Sequence, residues 1–430
     1  MVKEIVFMVG KSPLEETGGG HSSYVRAHAR AAIRAGFRPH LFGVGESVEI
    51  AETEYGVVHQ LRSPLKILPY PKGEAVPGAT IPWHEPILTA DVTQFLQNRE
   101  GRHLLHGFGP WSGAAVIASR RLCRRGVEAV AVVSAYNSLE HEYQARRVGI
   151  NRDHGRRSWF RAEVEYQWIK RVIGRYERRA YFGARVVLYN YESVRRILLD
   201  RFGPGMRFRK LPYCSEMAFT QAEIGRRADP PGSIAALDPN RGHRGEAPLI
   251  VAVSRHDARK GVDVLLRALA KLRERGVAFR ACLVGGGMLI ERHRRLAERL
   301  NLNGTVAIEG VTPDAQVYLR HADIFVLPSL EEGSGSMALL EALQAGVAVV
   351  ASNVDGIPED VTDGDSALLV EPGDAAVLGR ALERLIENAA LRERLARRAH
   401  ETFVERFSAE AFTAALRVVY TDLGFECAHE

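Results

Sequence analysis

Short apolar runs alternate along this chain with longer segments in which apolar residues recur every three or four positions. The runs predict buried strands, and the periodic segments predict amphipathic helices. In the first half the predicted strands are 5–9, 39–44, 103–106, 129–134, 185–189 and 209–214, and the predicted helices include 22–36, 114–123 and 193–202. Strands that alternate with helices predict βα units and a parallel sheet, with ligands at the carboxyl ends of the strands.

The same alternation starts again in the second half. The predicted strands there are 249–253, 279–284, 306–308, 324–327, 347–351 and 368–370, and the predicted helices are 262–275, 290–300, 315–320 and most of the chain from 375. Between the halves, 220–246 contains Pro, Gly, Arg and Asp and few large apolar residues, which is typical of a linker. We therefore expect an α/β protein with two Rossmann-like parallel-sheet domains whose ligand loops face each other across a cleft.

The expected domain boundaries follow from this pattern and from the length. A chain of 430 residues exceeds the size at which a single core stops growing. We predict an N-terminal domain over 1–218, a linker over 219–247 and a C-terminal domain over 248–408. A terminal helix at 409–430 is expected to pack back on the first domain.

The segment 146–179 is markedly basic and carries large apolar residues at about four-residue spacing: Trp159, Phe160, Val164, Trp168, Val172 and Tyr176. This spacing predicts one long amphipathic helix with a basic outer face. One interpretation packs the apolar side on the core and leaves the arginines in solvent. The alternatives are a membrane-surface contact and a groove for an anionic acceptor. The proline-containing section 60–90 shows no comparable pattern.

Charge and composition narrow the function classes. The formal net charge of +6 suits anionic substrates or an acidic membrane surface, and no zinc-finger, helix-turn-helix or RNA-binding pattern indicates nucleic acid. Four scattered cysteines without a C-x-x-C pair are typical of reduced thiols, and no apolar run is long enough for a spanning helix. We expect a cytoplasmic protein, with association at the cytoplasmic face of a membrane as an alternative.

The stretch from Pro328 to Gly346, P-S-L-E-E-G-S-G-S-M-A-L-L-E-A-L-Q-A-G, predicts a strand end, an acidic glycine loop and a helix that starts near Ser336. Glycines let the backbone approach a ligand closely, and a helix start presents unpaired N–H groups, so the layout suits phosphate. Glu332 and Glu341 can serve one ligand only if Glu332 lies in the loop, because on one continuous helix they would point to opposite sides. A merely solvated acidic loop is the competing interpretation.

A similar strand, glycine loop and helix occur at the start of the chain, where Gly18, Gly19 and Gly20 follow the first strand. A glycine triplet alone is equally typical of a tight turn.

The second half resembles the retaining glycosyltransferases of the GT-B fold, in the group numbered family four. The matching motifs are V-A-V-S-R-H-D-A-R-K-G-V-D-V-L-L, L-V-G-G-G, I-E-G-V-T, A-D-I-F-V-L-P-S, E-E-G-S-G-S-M-A-L-L-E-A-L-Q-A-G-V-A-V-V-A-S, G-I-P-E and L-L-V-E-P-G-D. They cover about 250–374 closely. The first half matches more loosely, through the glycine triplet, H-G-F-G-P, and Y-E-R-R-A to P-Y-C-S-E.

The resemblance implies transfer of a hexosyl group, with retention and without metal or other cofactor, from a nucleotide diphosphate sugar to a hydroxyl acceptor. Arg255 and Lys260 would hold the diphosphate, and Glu332 would lie near the donor sugar. The other donor-binding positions would be Gly19, Gly20, Gly310, Val311, Glu331, Gly333, Gly335, Ser336, Met337, Ala338 and Glu341. We expect Arg255→Ala or Lys260→Ala to lower turnover far more than it alters folding.

This chain departs from the family pattern at two places. The interval between Glu332 and Glu341 is one residue longer than usual, so whether Glu331 or Glu332 faces the sugar is open. The family's histidine after the strand that ends at Ser134 is missing, and Tyr136 or Asn137 takes that position near the acceptor and the sugar.

Several functional alternatives also stay open. They are a GT-B relative with other chemistry, such as a phosphorylase or a nucleotide-sugar epimerase, and a catalytically silent subunit that binds sugar nucleotides. UDP is favoured over GDP as the donor nucleotide, and the acceptor, lipid-linked, anionic or soluble, is unassigned.

Overall fold

The structure is a computed structural model that describes residues 3–15, 20–64, 80–136, 138–149, 156–219, 231–235, 237, 247–312 and 315–427. The chain divides into two compact units. The first comprises Met1–Phe219 with Ala409–Glu430, and the second comprises Thr220–Ser408.

The first unit is built on an eight-stranded sheet. Its strands are β1 (Lys3–Lys11), β2 (Phe37–Gly45), β3 (Glu49–Thr53), β4 (Gly56–Arg62), β5 (His103–Phe108), β6 (Ala129–Ala135), β7 (Val186–Tyr189) and β8 (Phe208–Lys210). They lie in the order β3-β4-β2-β1-β5-β6-β7-β8, and every pair is parallel except β3 and β4. The predicted parallel sheet is confirmed, with an antiparallel edge hairpin added.

Seven α-helices accompany this sheet in the described part of Met1–Phe219. They are α1 (Gly20–Arg34), α2 (Ile81–Leu96), α3 (Ser112–Cys123), α4 (Leu139–Gly149), α5 (Arg156–Trp168), α6 (Gly174–Gly183) and α7 (Glu192–Phe202). The sequence pattern missed α2, whose first turn contains Pro82 and whose interior contains Pro86. Proline is tolerated in a first turn but removes a hydrogen bond further in, so the segment lacks the usual helix signal.

The prediction of one long helix over 146–179 is wrong, and the interpretation that packs its large apolar residues on the core holds for only two of the six. The chain forms α4, and then α5 continues through a π-helical turn (Ile169–Ile173) into α6. Trp159, Phe160, Val164 and Trp168 are exposed on this second stretch, whereas Val172 and Tyr176 are half-buried and pack on the core. The buried residues of the stretch include Ala162, Tyr166, Ile169 and Ile173. Two apolar faces at similar spacing run along the helix, and the pattern cannot tell which one faces inward.

The second unit is built on a six-stranded, all-parallel sheet. Its strands are β9 (Leu249–Val253), β10 (Arg280–Val284), β11 (Val306–Ile308), β12 (Ile324–Leu327), β13 (Ala348–Ser352) and β14 (Leu368–Val370). Its helices are α8 (Gly232–Ala235), α9 (Val262–Glu274), α10 (Ile290–Arg299), α11 (Gln316–His321), α12 (Met337–Gln344), α13 (Ile357–Asp360), α14 (Ala375–Glu387) and α15 (Ala389–Arg406). All six strands were expected from the apolar runs.

Much of the predicted linker, 220–230 and 238–246, lies outside the described residues. Within it the structure places the short helix α8, and Ile234 and Leu237 are buried. At least this part of the predicted linker is therefore packed on the second unit.

The last helix, α16 (Ala409–Asp422), packs on the first unit. The Tyr420 hydroxyl lies 3.0 Å from Nδ1 of His106 in the sheet core, and the rings of Phe412 and His28 meet edge-on at 4.9 Å. Because these side chains are buried, the end of the chain is part of the first unit's core.

Strand order places a ligand crevice in each sheet. The second sheet runs β11-β10-β9-β12-β13-β14, so successive connections proceed one way from β9 and the other way from β12. In the first sheet the same reversal lies between β1 and β5. Ligands of open parallel sheets bind beyond the carboxyl ends of the strands at such reversals, and these two places position the sites below.

Candidate functional site

The loops that follow the strands of the second unit form a continuous rim along the carboxyl edge of the sheet. Each loop is tied to its neighbour by backbone hydrogen bonds. These are Gly285 N to Gly310 O (3.2 Å), His256 N to Gly286 O (2.8 Å), Leu330 N to Arg259 O (2.6 Å) and Gly356 N to Ser334 O (3.0 Å). The rim therefore brings the predicted residues of the second unit onto one edge, centred on the reversal between β9 and β12.

Two glycines allow these loops to pack so closely. Gly261 has φ of 62°, and a Cβ built there would lie 2.0 Å from the carbonyl oxygen of Pro328. Gly285 has φ of 137°, and its Cβ would lie 2.1 Å from the carbonyl oxygen of Ser254. Any side chain at either position would both strain the backbone and push neighbouring loops apart.

Lys260 and Glu332 join the loops on either side of the reversal. Nζ of Lys260 lies 2.5 Å from one carboxylate oxygen of Glu332, and the Ser329 hydroxyl donates to the other at 2.5 Å. The Glu332 side chain is 4% exposed and that of Lys260 14%. The structure thus places Glu332 in the loop, ahead of α12, which is the condition under which it can share a ligand with Glu341.

Asp355 holds the acidic loop in place, and the sequence pattern did not identify it. One of its carboxylate oxygens accepts hydrogen bonds from the backbone N–H groups of Glu332 and Gly333, each at 2.7 Å. Asp355 itself has φ of 50°, a conformation uncommon outside glycine. The only signal was its place just before the G-I-P-E motif.

Arg255 lies on the same rim but is solvent-accessible. Its side chain is 61% exposed, and a guanidinium nitrogen lies 3.6 Å from a carboxylate oxygen of Asp257. The other Asp257 oxygen accepts a hydrogen bond from the Arg259 backbone at 3.0 Å, which orders the turn. Lys260 and Arg255 therefore present one buried and one exposed cation from a single loop.

A buried histidine pair lies behind Arg255. Nδ1 of His256 is 2.9 Å from Nδ1 of His293 on α10, so one ring donates to the other. Burial is the main cause that lowers the pKa of His256 to about 4, and it also lowers the pKa of His293. The backbone of His256 is bonded on both sides to the turn 286–289, which fixes the start of the Arg255 loop.

Helix α12 begins directly after the acidic loop. Ser336 is its N-cap but makes no side-chain capping bond, and no described residue accepts a hydrogen bond from the amides of Met337 and Ala338. Glu341 lies in the second turn of α12 with its side chain half-buried. The helix start is thus available to an anion, as glycine-rich strand-to-helix turns commonly are.

The other predicted donor-binding positions of the second unit lie in the acidic loop and after β11. Gly333 has φ of 74°, Gly335 is buried in the same loop, and Glu331 is half-buried beside Glu332. Gly310 and Val311 lie beyond β11, where the exposed Val311 side chain covers Gly286.

The predicted residues of the first unit lie at the reversal of its own sheet. Gly20 begins α1, and Tyr136 follows β6. Gly19 and Asn137 lie outside the described residues.

His21, which the pattern did not single out, connects these elements. Its Nε2 donates to the carbonyl oxygen of Val9 at 3.2 Å, so in the neutral ring Nδ1 is the acceptor, and the Tyr136 hydroxyl donates to it at 2.7 Å. Trp111 lies beside His21 with ring centroids 6.0 Å apart, and no described residue accepts a hydrogen bond from its buried indole N–H. The Tyr136 hydroxyl, oriented by His21, and the buried indole N–H of Trp111 therefore lie near each other at this end of the sheet.

The second half of the chain is similar to a known protein family. Residues 234–402 match the model of the family described as Glycosyl transferases group 1. This segment, which is less than half of the chain, is similar to the group 1 glycosyltransferases. It includes the whole rim described above, from the loop after β9 to Asp355 and α12.

Two of the curated relatives each match less than half of the chain. The lipopolysaccharide core biosynthesis glycosyltransferase LpsE of Rhizobium meliloti is 36% identical over 170 residues, which is 40% of this chain and 48% of that protein. The GDP-mannose-dependent α-(1-6)-phosphatidylinositol monomannoside mannosyltransferase of Mycolicibacterium smegmatis is 31% identical over 211 residues, covering 47% of this chain and 53% of that one. The chain thus matches about half the length of each.

Solved structures match along almost the whole chain. Sucrose-phosphate synthase from Thermosynechococcus elongatus superposes with a TM-score of 0.71 at 22% identity over 98% of this chain and 99% of that one. Anabaena Alr3699/HepE in complex with UDP gives 0.65 at 16% identity over 98% and 100%. The predicted fold class, two Rossmann-like parallel-sheet domains of the GT-B type, is confirmed.

Membrane-spanning helices and metal-binding clusters are both absent from the described residues. None of their helices is both long enough and apolar enough to cross a bilayer. Nor does any cluster of three or more His, Cys, Asp and Glu side chains among them have the arrangement of a metal site.

Proposed function

We propose that the protein transfers a hexosyl group from a nucleoside diphosphate sugar to a hydroxyl acceptor, with retention of configuration. The observation that carries this proposal is the Lys260 to Glu332 contact across the β9/β12 reversal, beside Arg255 and the start of α12. Cations for a diphosphate, a carboxylate for a sugar hydroxyl and amides for phosphate oxygens then meet at one edge of the second unit's sheet.

The diphosphate of the donor is held by Arg255, Lys260 and the amides of Ser336, Met337 and Ala338. Lys260 has three N–H donors and Glu332 takes one, so the ammonium retains donors for a phosphate oxygen. Hydrogen bonds to charged groups contribute about 1.5 to 3 kcal/mol each. Together these groups stabilise the negative charge that develops on the leaving diphosphate, so charge stabilisation is assigned to side chains and amides, without metal.

The sugar and the nucleoside lie on either side of the diphosphate. Glu332 is assigned to a donor-sugar hydroxyl and Glu341 to the ribose hydroxyls. Gly333 and Gly335 let the backbone approach the ligand, and Glu331 borders the same loop. Gly310 and Val311, at the β11 end of the rim, border the base, and the exposure of Val311 leaves an apolar surface for it.

The first unit supplies a second sugar-binding region at its own strand reversal. The Tyr136 hydroxyl, oriented by His21, replaces the histidine that the family pattern carries there, and its oxygen accepts a hydrogen bond from a sugar hydroxyl. Gly19, Gly20 and Asn137 belong to the same region by their place in the sequence.

The relatives differ in the donor nucleotide they indicate, but the two curated relatives named above point to lipid-linked acceptors. The Anabaena structure contains UDP, which favours a UDP-sugar, whereas the mycobacterial relative is named for GDP-mannose. Relatives named for lipopolysaccharide core and phosphatidylinositol mannoside synthesis favour an acceptor linked to a lipid. We propose a UDP-sugar donor and a lipid-linked acceptor.

A nucleotide panel combined with product analysis tests this function. A nucleoside diphosphate that binds the native state raises the melting temperature, and we expect UDP to raise it more than GDP or ADP. The intact protein with the matching α-linked nucleotide sugar should then release nucleoside diphosphate and, in early NMR spectra, the α anomer of the sugar. Release of the β anomer would contradict retention. Binding without any release, with or without a membrane extract as a source of acceptor, would indicate a silent binding subunit.

A further inference from the structure

The outer face of α5 and α6 in the first unit carries exposed apolar side chains in a line. Phe160 is 64% exposed and Val164 51%, and Trp168, four residues further on, is also exposed. Residues four apart lie on one face of a helix, so the three side chains form a stripe on the side opposite the buried Tyr166 and Ile169. Side chains of this size are rarely exposed together without a binding role.

A tryptophan from another helix widens the stripe. Trp83 of α2 is exposed and stacks on Trp168 with ring centroids 6.1 Å apart and planes at 18°. Trp159 is exposed next to Phe160. We call Trp83, Phe160, Val164 and Trp168 the aromatic stripe.

Cations lie beside and beyond the aromatic stripe. Arg161, which is paired with Glu165 at 2.9 Å, lies beside it, and the exposed Arg171 and Arg175 follow it on the same stretch of helix. Between residues 156 and 183 the sequence has eight Arg and Lys against three Glu, a difference of five positive charges. Of the three glutamates, Glu177 is buried against Arg201, Glu163 is paired with Arg147 and Glu165 with Arg161. Lys170 and Arg179 contact Glu140 and Glu85 on other helices. Arg171 and Arg175, which are exposed and have no carboxylate partner among the described residues, therefore supply positive charge to this face.

We propose that this face docks on a membrane surface that contains anionic lipids. Phe160, Val164 and the two tryptophans enter the boundary between headgroups and acyl chains, where indole rings are favoured, and the arginines contact lipid phosphates while their stems cover apolar surface. The helical face from Phe160 to Arg175, which includes the helix side chains of the aromatic stripe and the arginines beyond them, is about 22 Å long at 1.5 Å per residue. Such a face matches a flat bilayer boundary better than a peptide, which needs a groove.

Membrane docking is independent of the transfer chemistry. One consequence does rest on the proposed function. A protein held at the bilayer surface would meet a lipid-linked acceptor by diffusion in the plane of the membrane. The two claims fail separately, because vesicle binding is measured without any donor.

Co-sedimentation with sucrose-loaded vesicles tests the proposal on the intact protein. We use phosphatidylcholine vesicles and vesicles that also contain phosphatidylglycerol. The wild-type protein should sediment with the anionic vesicles, more weakly as salt is added, and least with phosphatidylcholine alone, because each cation near an anionic surface adds to the attraction.

Three variants separate the contributions. Phe160→Ala with Val164→Ser should weaken binding to anionic vesicles about tenfold or more, since the apolar burial is lost. Arg171→Glu with Arg175→Glu should weaken it at least as much and remove the salt dependence. Val418→Ser, at an exposed valine of α16 in the same unit, is the matched control and should bind as the wild type does.

Some results would overturn the proposal. They are equal sedimentation of the wild type with and without vesicles, or stripe variants that bind like the control while melting at the same temperature. Retention on immobilised polyglutamate with no vesicle binding would instead assign the face to an acidic protein. If the apolar double variant fails to fold, tryptophan fluorescence of the wild type provides the second measurement. A blue shift on adding anionic vesicles supports docking, and an unchanged spectrum contradicts it.

Discussion

Nζ of Lys260 lies 2.5 Å from a carboxylate oxygen of Glu332, and this contact joins the loops that follow β9 and β12. Both side chains are largely buried, and the Ser329 hydroxyl satisfies the second carboxylate oxygen. The pair therefore holds the rim together before any donor arrives, and it places the two groups that the proposed function assigns to phosphate and sugar side by side.

Replacing Lys260 should affect folding as well as turnover. Lys260→Ala leaves the Glu332 carboxylate buried without its partner, and breaking a buried pair costs about 3 to 5 kcal/mol. Urea unfolding should show this loss, and Lys260→Ala with Glu332→Gln should recover much of it because the uncompensated charge is removed. Equal stability of Lys260→Ala and the wild type would contradict the pairing. The sequence-based expectation, that folding is little altered, is thus revised for this residue.

Arg255→Ala should behave differently. Because its guanidinium is largely exposed, the variant should unfold within about 0.5 kcal/mol of the wild type. Losing charge-assisted hydrogen bonds to a diphosphate should weaken nucleoside diphosphate binding about tenfold to a hundredfold. Calorimetric titration measures this, with Arg267→Ala, an exposed arginine of α9, as the control. Unchanged affinity in Arg255→Ala would remove it from the site.

Asp355 should control the shape of the acidic loop. Asp355→Ala removes two hydrogen bonds from backbone amides to a carboxylate, so we expect a loss of about 2 to 4 kcal/mol in unfolding free energy and weaker donor binding. The unfolding free energy of Asp355→Asn should lie between those of the wild type and Asp355→Ala, because its amide oxygen still accepts hydrogen bonds and asparagine tolerates a positive φ. If both variants are as stable as the wild type and bind donor equally well, the charge and the acceptor at this position are without effect.

Tyr136→Phe tests the region that departs from the family pattern. The change removes one hydroxyl and its hydrogen bond to His21, so stability should fall by only about 1 kcal/mol. Turnover should fall about tenfold or more, while affinity for the nucleoside diphosphate alone should not change. A variant with normal turnover would place the sugar hydroxyl elsewhere.

The histidine pair should make the second unit sensitive to acid. The pKa of His256 is lowered to about 4, below the value of about 6.5 in an unfolded chain, so between these values the unfolded state binds protons that the native state does not. Stability therefore falls as the pH drops through this window. His293→Gln removes one of the two titrating rings, and its loss of melting temperature between about pH 7 and about pH 5 should be smaller than that of the wild type. An equal loss would mean that other buried histidines dominate.

The sequence predicts the fold and the position of the rim well, for identifiable reasons. Apolar runs of the second half coincide with β9 to β14, because strands buried on both faces are continuous apolar segments. The glycine loop before Ser336 and the Arg255 to Lys260 loop are local features, so their place at strand ends follows from chain order alone.

The features that were missed depend on contacts between distant residues or on competing signals. Asp355 bonds to amides more than twenty positions earlier, and His293 reaches His256 from another helix. The apolar side chains at 160, 164 and 168 have the spacing of a core face, but Tyr166 and Ile169 occupy the core instead. Periodicity gives the number of apolar faces, and only packing decides which one is buried.

The most direct measurement is a crystal structure of the protein with a bound nucleoside diphosphate. We predict that the diphosphate lies at the β9/β12 reversal, with its oxygens within hydrogen-bond distance of Arg255, Lys260 and the first amides of α12, and its ribose near Glu341. Density for the diphosphate at any other place, with these side chains directed away from it, would contradict the proposed function.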